Sequence, residues 1–202
     1  MKELLLEIAI CAAAAAFLMV FHELSKAIVY MGIQRLRKNS RTYSHSIWEI
    51  QRYLDPVGII LSITSGVAFS RPFMFRIQDK KTNRLLGITG FSVILLCFAG
   101  SMVALKCHVF GVSGIVTLEG HGLAAKIITL FIQYIAIISF GMFCTNLFPV
   151  STFDMGLLIA GYSSRKYLGI IKMDAVIKVI LIITVFVDLI NYGSYRLISF
   201  LL

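Results

Sequence analysis

The stretch Phe21-His22-Glu23-Leu24-Ser25-Lys26 places a histidine, a glutamate and a lysine within little more than one helical turn, in otherwise apolar surroundings. On a helix, residues four apart share a face, so the two histidines of an H-E-x-x-H motif reach one Zn²⁺. The glutamate beside the first histidine then acts as general base on the attacking water. Here His22 and Glu23 are present, and Lys26 stands where the second ligand belongs. An ammonium has no lone pair to offer a metal. Far along the chain, Asn146-Leu147-Phe148-Pro149-Val150-Ser151-Thr152-Phe153-Asp154-Met155-Gly156 sets a proline and a carboxylate in a second apolar stretch. Proline removes a backbone donor and opens a helix, and the unwound stretch can turn Asp154 toward an interior site. Ionisable side chains inside apolar spans are functional candidates. On a helix, Glu23 sits close enough to Lys26 for an ion pair. The alternative is a lysine that snorkels to the interface without a partner.

The elements that must position these groups belong in a bilayer. The 202 residues are 58% hydrophobic and 14% charged, with a mean hydropathy of +0.88, more apolar surface than a soluble domain of this length can enclose. The net charge of +9 gathers between apolar runs, which suits membrane orientation and argues against nucleic acid as a partner. Cys11, Cys97, Cys107 and Cys144 lack C-x-x-C spacing, so packing is their expected role.

The hydropathy predicts an all-α polytopic membrane protein with about four transmembrane helices and a re-entrant segment, forming one domain over residues 1–202. The first span is Leu4 to Met31, retained as a membrane helix and not a cleaved signal peptide because Glu3 and Glu7 spoil a basic leader. A connection with Arg35, Arg37, Lys38, Arg41 and Arg52, and with Tyr43, Trp48 and Tyr53 at the interface, follows on the cytoplasmic side. After Asp55-Pro56, the run Val57 to Ser70 extends only about 21 Å as a helix and lies between basic flanks (Arg71, Arg76, Lys80, Lys81, Arg84), so it dips in and returns. Leu85 to Leu105 crosses outward to a connection with His108, Glu119 and His121, and Ala124 to Phe148 returns. Arg165, Lys166 and Lys172 form a third cytoplasmic connection, and a C-terminal helix at 174–192 carries the last span, Val176 to Ile190. The tail 191–202 is amphipathic, and both termini lie outside. No internal repeat divides the chain.

These motifs together resemble the site-2 protease family of intramembrane zinc metalloproteases. Phe21-His22-Glu23 is similar to its F-x-H-E-x-x-H helix, Asp55-Pro56-Val57-Gly58 to its D-P-x-G segment, and Arg71-Pro72 to the K-P that follows. Asn146, Pro149 and Asp154 keep the spacing of N-x-x-P-x-x-x-x-D-G. The resemblance implies a family-like core over 4–160, zinc held by His22 and Asp154, Glu23 as general base, and Asn146 positioning a substrate strand. Asp55, Pro56, Gly58, Pro149 and Gly156 would support the motifs. Three departures fall on the active-site elements: Lys26 replaces a ligand, Met155 separates Asp154 from Gly156, and Thr89-Gly90-Phe91-Ser92-Val93 lacks the proline and asparagine of the family's G-P-x-x-N turn.

The departures favour a catalytically impaired pseudoprotease that binds the transmembrane helix of a client membrane protein, with no zinc or weakly held zinc and with Lys26 expected to pair with Asp154 and Glu23 in place of the metal. Two other readings stand beside it. One is an active zinc endopeptidase cleaving a transmembrane segment, and the other is a small transporter or transport-complex subunit using the broken helix at Pro149. The expected location is a bacterial plasma membrane, multi-pass, with basic loops cytoplasmic.

Overall fold

The computed structural model describes residues 1–36, 49–72, 79–107 and 122–201. Arg37, Lys38, Arg41, Tyr43, Trp48, Arg76, His108, Glu119 and His121 of the expected connections fall outside these. All regular secondary structure among the described residues is helical, with no strand. Three helices are long and apolar enough to cross a membrane: α1 (Lys2–Leu36), α3 (Lys80–Lys106) and α4 (Leu123–Asn146). They pack against one another in all three pairings.

α1 buries one stripe, Cys11, Ala14, Ala15, Leu18, Met19, His22, Glu23 and Lys26, at alternating intervals of three residues and one. Its opposite face is also apolar and exposed, with Phe17 and Phe21 stacked outward at 5.7 Å. A helix apolar on both faces is suited to lipid on the outside and a packed core on the inside. That core is formed by Cys11 to Met19 with Ala68, Ile94, Ile138 and Met142. The buried stripe turns polar one turn beyond Met19, which delivers His22, Glu23 and Lys26 to the interior at the floor of this core.

The run expected to dip and return is a short helix followed by an extended chain. Asp55 caps α2 (Pro56–Ser65), its carboxylate accepting from the Val57 N–H at 2.9 Å, with Pro56 in the first turn. Gly66 ends the helix at φ 62°, a left-handed conformation open to glycine at little steric cost. The extended chain then runs back until the Arg71 N–H donates to the Tyr53 carbonyl at 3.1 Å, so the ends of the segment meet. Arg71 Nε also lies 3.6 Å from Asp55 Oδ2, joining the D-P and R-P motifs. Gly58 permits this closeness, because a Cβ there would collide with the Phe69 carbonyl.

α4 stops at Asn146, as the proline predicts. A tight turn follows, the Val150 N–H donating to the Phe148 carbonyl at 2.8 Å around Pro149. α5 (Asp154–Tyr162) then lies along α3.

The C-terminal region differs from the expected single helix at 174–192. α6 (Ser164–Phe186) begins earlier, because the Ser163 side chain caps it by accepting from the Lys166 N–H. Arg165, Lys166 and Lys172 therefore lie on a helix, not in a connection. The apolar run 176–190 is broken at Val187-Asp188, where Asp188 adopts φ 55°, and α7 (Leu189–Leu201) follows. α7 buries Ile190, Ser194 and Ile198 along one face, consistent with an amphipathic tail, and packs on α4. Tyr53 also departs from expectation: it is buried, not interfacial. All four cysteines are free thiols, and Cys107 is exposed.

Candidate functional site

His22, Glu23 and Lys26 meet Asp154, 128 positions beyond Lys26, in one buried cluster, each no more than 2% exposed. Lys26 Nζ lies 2.6 Å from Glu23 Oε1 and 3.0 Å from Asp154 Oδ1. The other Asp154 oxygen, Oδ2, is 2.7 Å from His22 Nε2. Ser70, at the end of the extended return, donates its hydroxyl to Glu23 Oε1 at 2.8 Å, and its oxygen is 3.1 Å from His22 Nδ1. Nδ1 is also 3.3 Å from Glu23 Oε1. Both imidazole nitrogens thus lie within hydrogen-bond reach of oxygens, and His22 and Lys26 together sit against two buried carboxylates.

Ser70, His22 and Asp154 have the connectivity of a nucleophile, base and acid relay. The serine hydroxyl donates to Glu23 and not to His22, so this chain of bonds ties the extended return to α1.

The donor set does not fit a zinc ion in this arrangement. Tetrahedral zinc with bonds of about 2.0–2.1 Å holds two ligand atoms about 3.3 Å apart, whereas His22 Nε2 and Asp154 Oδ2 are in direct hydrogen-bond contact at 2.7 Å. The third position is filled by an ammonium bonded to the same carboxylate. Among the described residues no group of three His, Cys, Asp or Glu side chains is arranged to hold a metal.

Asn146 braces the aspartate. Its Nδ2 donates to the Met142 carbonyl at 2.9 Å, and its Oδ1 accepts from the Asp154 N–H at 3.3 Å, so the amide links the last turn of α4 to the first residue of α5. It is 3% exposed. Gly156 allows the turn to fold under α5, since a Cβ there would strike the Val150 carbonyl. Asp55, Pro56 and Gly58 lie outside the cluster and shape the segment that brings Ser70 in.

Several contributors escaped the sequence reading. Gly90, from the stretch compared with the G-P-x-x-N turn, faces Asp154 so closely that a Cβ would overlap the carboxylate. Ser70 had no signal beyond its place before Arg71-Pro72. Tyr53 is buried near Glu23, and burial together with that carboxylate pushes its phenol above the usual range. On α6, Asp174 Oδ1 accepts from the Ser151 N–H at 2.8 Å while the Tyr167 hydroxyl donates to the Ser151 carbonyl at 3.2 Å. The peptide groups on either side of Ser151, in the turn before Asp154, are thus both held by α6. No protein-family model, curated protein or solved structure matches this chain.

Proposed function

We propose that this protein is a site-2-protease-like membrane protein whose catalytic centre has become a metal-free polar lock, and that it binds the transmembrane helix of a client without cleaving it. The observation that carries the reading is the Lys26 ammonium seated between Glu23 and Asp154 at 2.6 and 3.0 Å. A cation in that position supplies the charge that Zn²⁺ would, and it ties up the carboxylate meant to activate water. The order of the motifs supports the kinship: the segments around His22, Asp55, Arg71 and Asp154 converge on one core. In this scheme α6 is a fourth span, its Asp174 paired with Lys178 at 2.6 Å, and the basic helix ends face the cytoplasm of a bacterial cell.

Elemental analysis of the purified protein tests the lock: the expected content is far below one zinc per chain, and Lys26→His raises it. Chelator-resistant stoichiometric zinc in the wild type would overturn the reading in favour of an active endopeptidase. A single-span client reconstituted with the protein should co-purify uncleaved, with the same result for Glu23→Gln. Glu23-dependent cleavage would establish a protease, and solute flux without client binding would establish a transporter.

A further inference from the structure

The N-termini of α3 and α6 are brought to one end of the molecule. α5 connects them: its Gly161 packs so closely on the start of α3 that a Cβ would lie 2.8 Å from both the Arg84 nitrogen and the Lys80 carbonyl. α6 begins three residues later, within about 11 Å of extended chain. Lys80, Lys81 and Arg84 from α3 and Arg165 and Lys166 from α6 therefore share one region, with Lys80, Lys81, Arg165 and Lys166 exposed.

Two physical features make this region unusual. Basic residues at a helix N-terminus oppose the macrodipole, and neither helix has an acidic residue in its first turn. The positive ends of two long helices and five cations consequently add. Among the described residues, none of the five forms an ion pair. Asp79, at the start of α3, caps the helix by accepting from the Lys81 and Thr82 N–H groups, and Arg84 stacks over the Tyr162 ring at 5.0 Å. With Asp79 as the one carboxylate at these two helix starts, the five cations keep a net positive charge that suits an external anion.

Its surroundings identify the kind of anion. Immediately beyond the cations, Leu85 and Ile88 on α3 and Leu168 on α6 are exposed and apolar, and Tyr162 is 70% exposed between the two zones. Cations, then an amphipathic ring, then hydrocarbon-facing side chains match the profile of a phospholipid, whose phosphate lies above its acyl chains. We propose that this surface is a binding site for anionic phospholipid headgroups, formed jointly by the first turns of α3 and α6. It does not depend on whether the buried cluster holds zinc or on client binding.

The protein released from vesicles of equal phosphatidylglycerol and phosphatidylcholine should retain phosphatidylglycerol preferentially when retained lipid is counted by native mass spectrometry. Removing cations by Lys80→Gln, Lys81→Gln, Arg165→Gln and Lys166→Gln together should abolish that preference, by about fivefold for each charge at low salt. A control with Lys2→Gln and Arg196→Gln, also exposed, should keep it. Should the combined variant misfold, the single variants Lys80→Gln and Arg165→Gln should each give a partial loss. Unchanged preference in a variant that melts like wild type would overturn the proposal, as would equal loss in the control. Displacement of the lipid by soluble glycerol phosphate at equal concentration would overturn the assignment to lipid.

Discussion

At the residue scale, the decisive comparison is between an ammonium and a metal as the charge between two buried carboxylates. A lysine carries its charge on a flexible stem anchored to the same helix as Glu23, three residues away, so the Lys26–Glu23 contact needs only local geometry. Its contact with Asp154 needs the whole fold. Buried ions are costly to desolvate, and removing one partner leaves the others uncompensated. Lys26→Met should accordingly destabilise the protein by about 3–5 kcal/mol, measured by thermal or chemical unfolding in detergent. A smaller effect would mean that the carboxylates neutralise by taking up protons. Gly90→Ala should also destabilise, by about 1–3 kcal/mol through overpacking, since the added methyl occupies the space of the Asp154 carboxylate. A neutral result there would show that the Asp154 turn can withdraw from α3.

At the element scale, the buried cluster depends on two short, irregular segments: the extended return at 67–72 and the turn at 147–153. Neither has a regular backbone ladder of its own, and both are held by neighbours. The Thr145 hydroxyl is 3.2 Å from the Ala68 carbonyl and can donate to it, and Val67 packs with Leu181, Val185 and Ile190 from the C-terminal helices. The grip of Asp174 and Tyr167 on Ser151 fixes the turn from outside. Removing the Asp174 carboxylate leaves the Ser151 N–H without its acceptor. Asp174→Ala should therefore be less stable than wild type by about 1–3 kcal/mol, measured by unfolding in detergent. Unchanged stability would show that the turn is held without this bond.

At the scale of the whole molecule, three apolar helices form a compact core, and the remaining helices gather at its side. α6 buries only Leu181 and Val185 along its length, so most of its apolar surface faces outward, as suits a helix bathed in lipid. The four-span scheme places native Cys107, at the end of α3, on the opposite side from the start of α6 and on the same side as α7. In a chain with Cys11, Cys97 and Cys144 replaced by alanine, an impermeant maleimide should reach Cys107 from one side of sealed vesicles. With Cys107 also replaced by alanine, Lys166→Cys should label from the other side, and Ser199→Cys from the Cys107 side. Labelling of the positions at 166 and 199 from the same side would show that α6 does not cross.

The sequence by itself determined the membrane setting, the three long apolar helices, the break at Pro149 and the identities of His22, Glu23, Lys26 and Asp154 as the groups to watch. Each of these follows from local chemistry: hydropathy over a window, a missing backbone donor, or a costly charge in an apolar stretch. It misjudged the C-terminal region because Arg165, Lys166 and Lys172 look like a connection in a hydropathy profile, whereas a helix accepts these residues readily and Ser163 caps it. Tertiary structure alone decided that Lys26 reaches Asp154, that Ser70 joins the cluster, that Gly90 makes room for a carboxylate and that Asn146 is an internal brace. Those facts are distances between elements far apart in the chain, set by helix packing and by the path of two irregular segments, and no local pattern of residues encodes them.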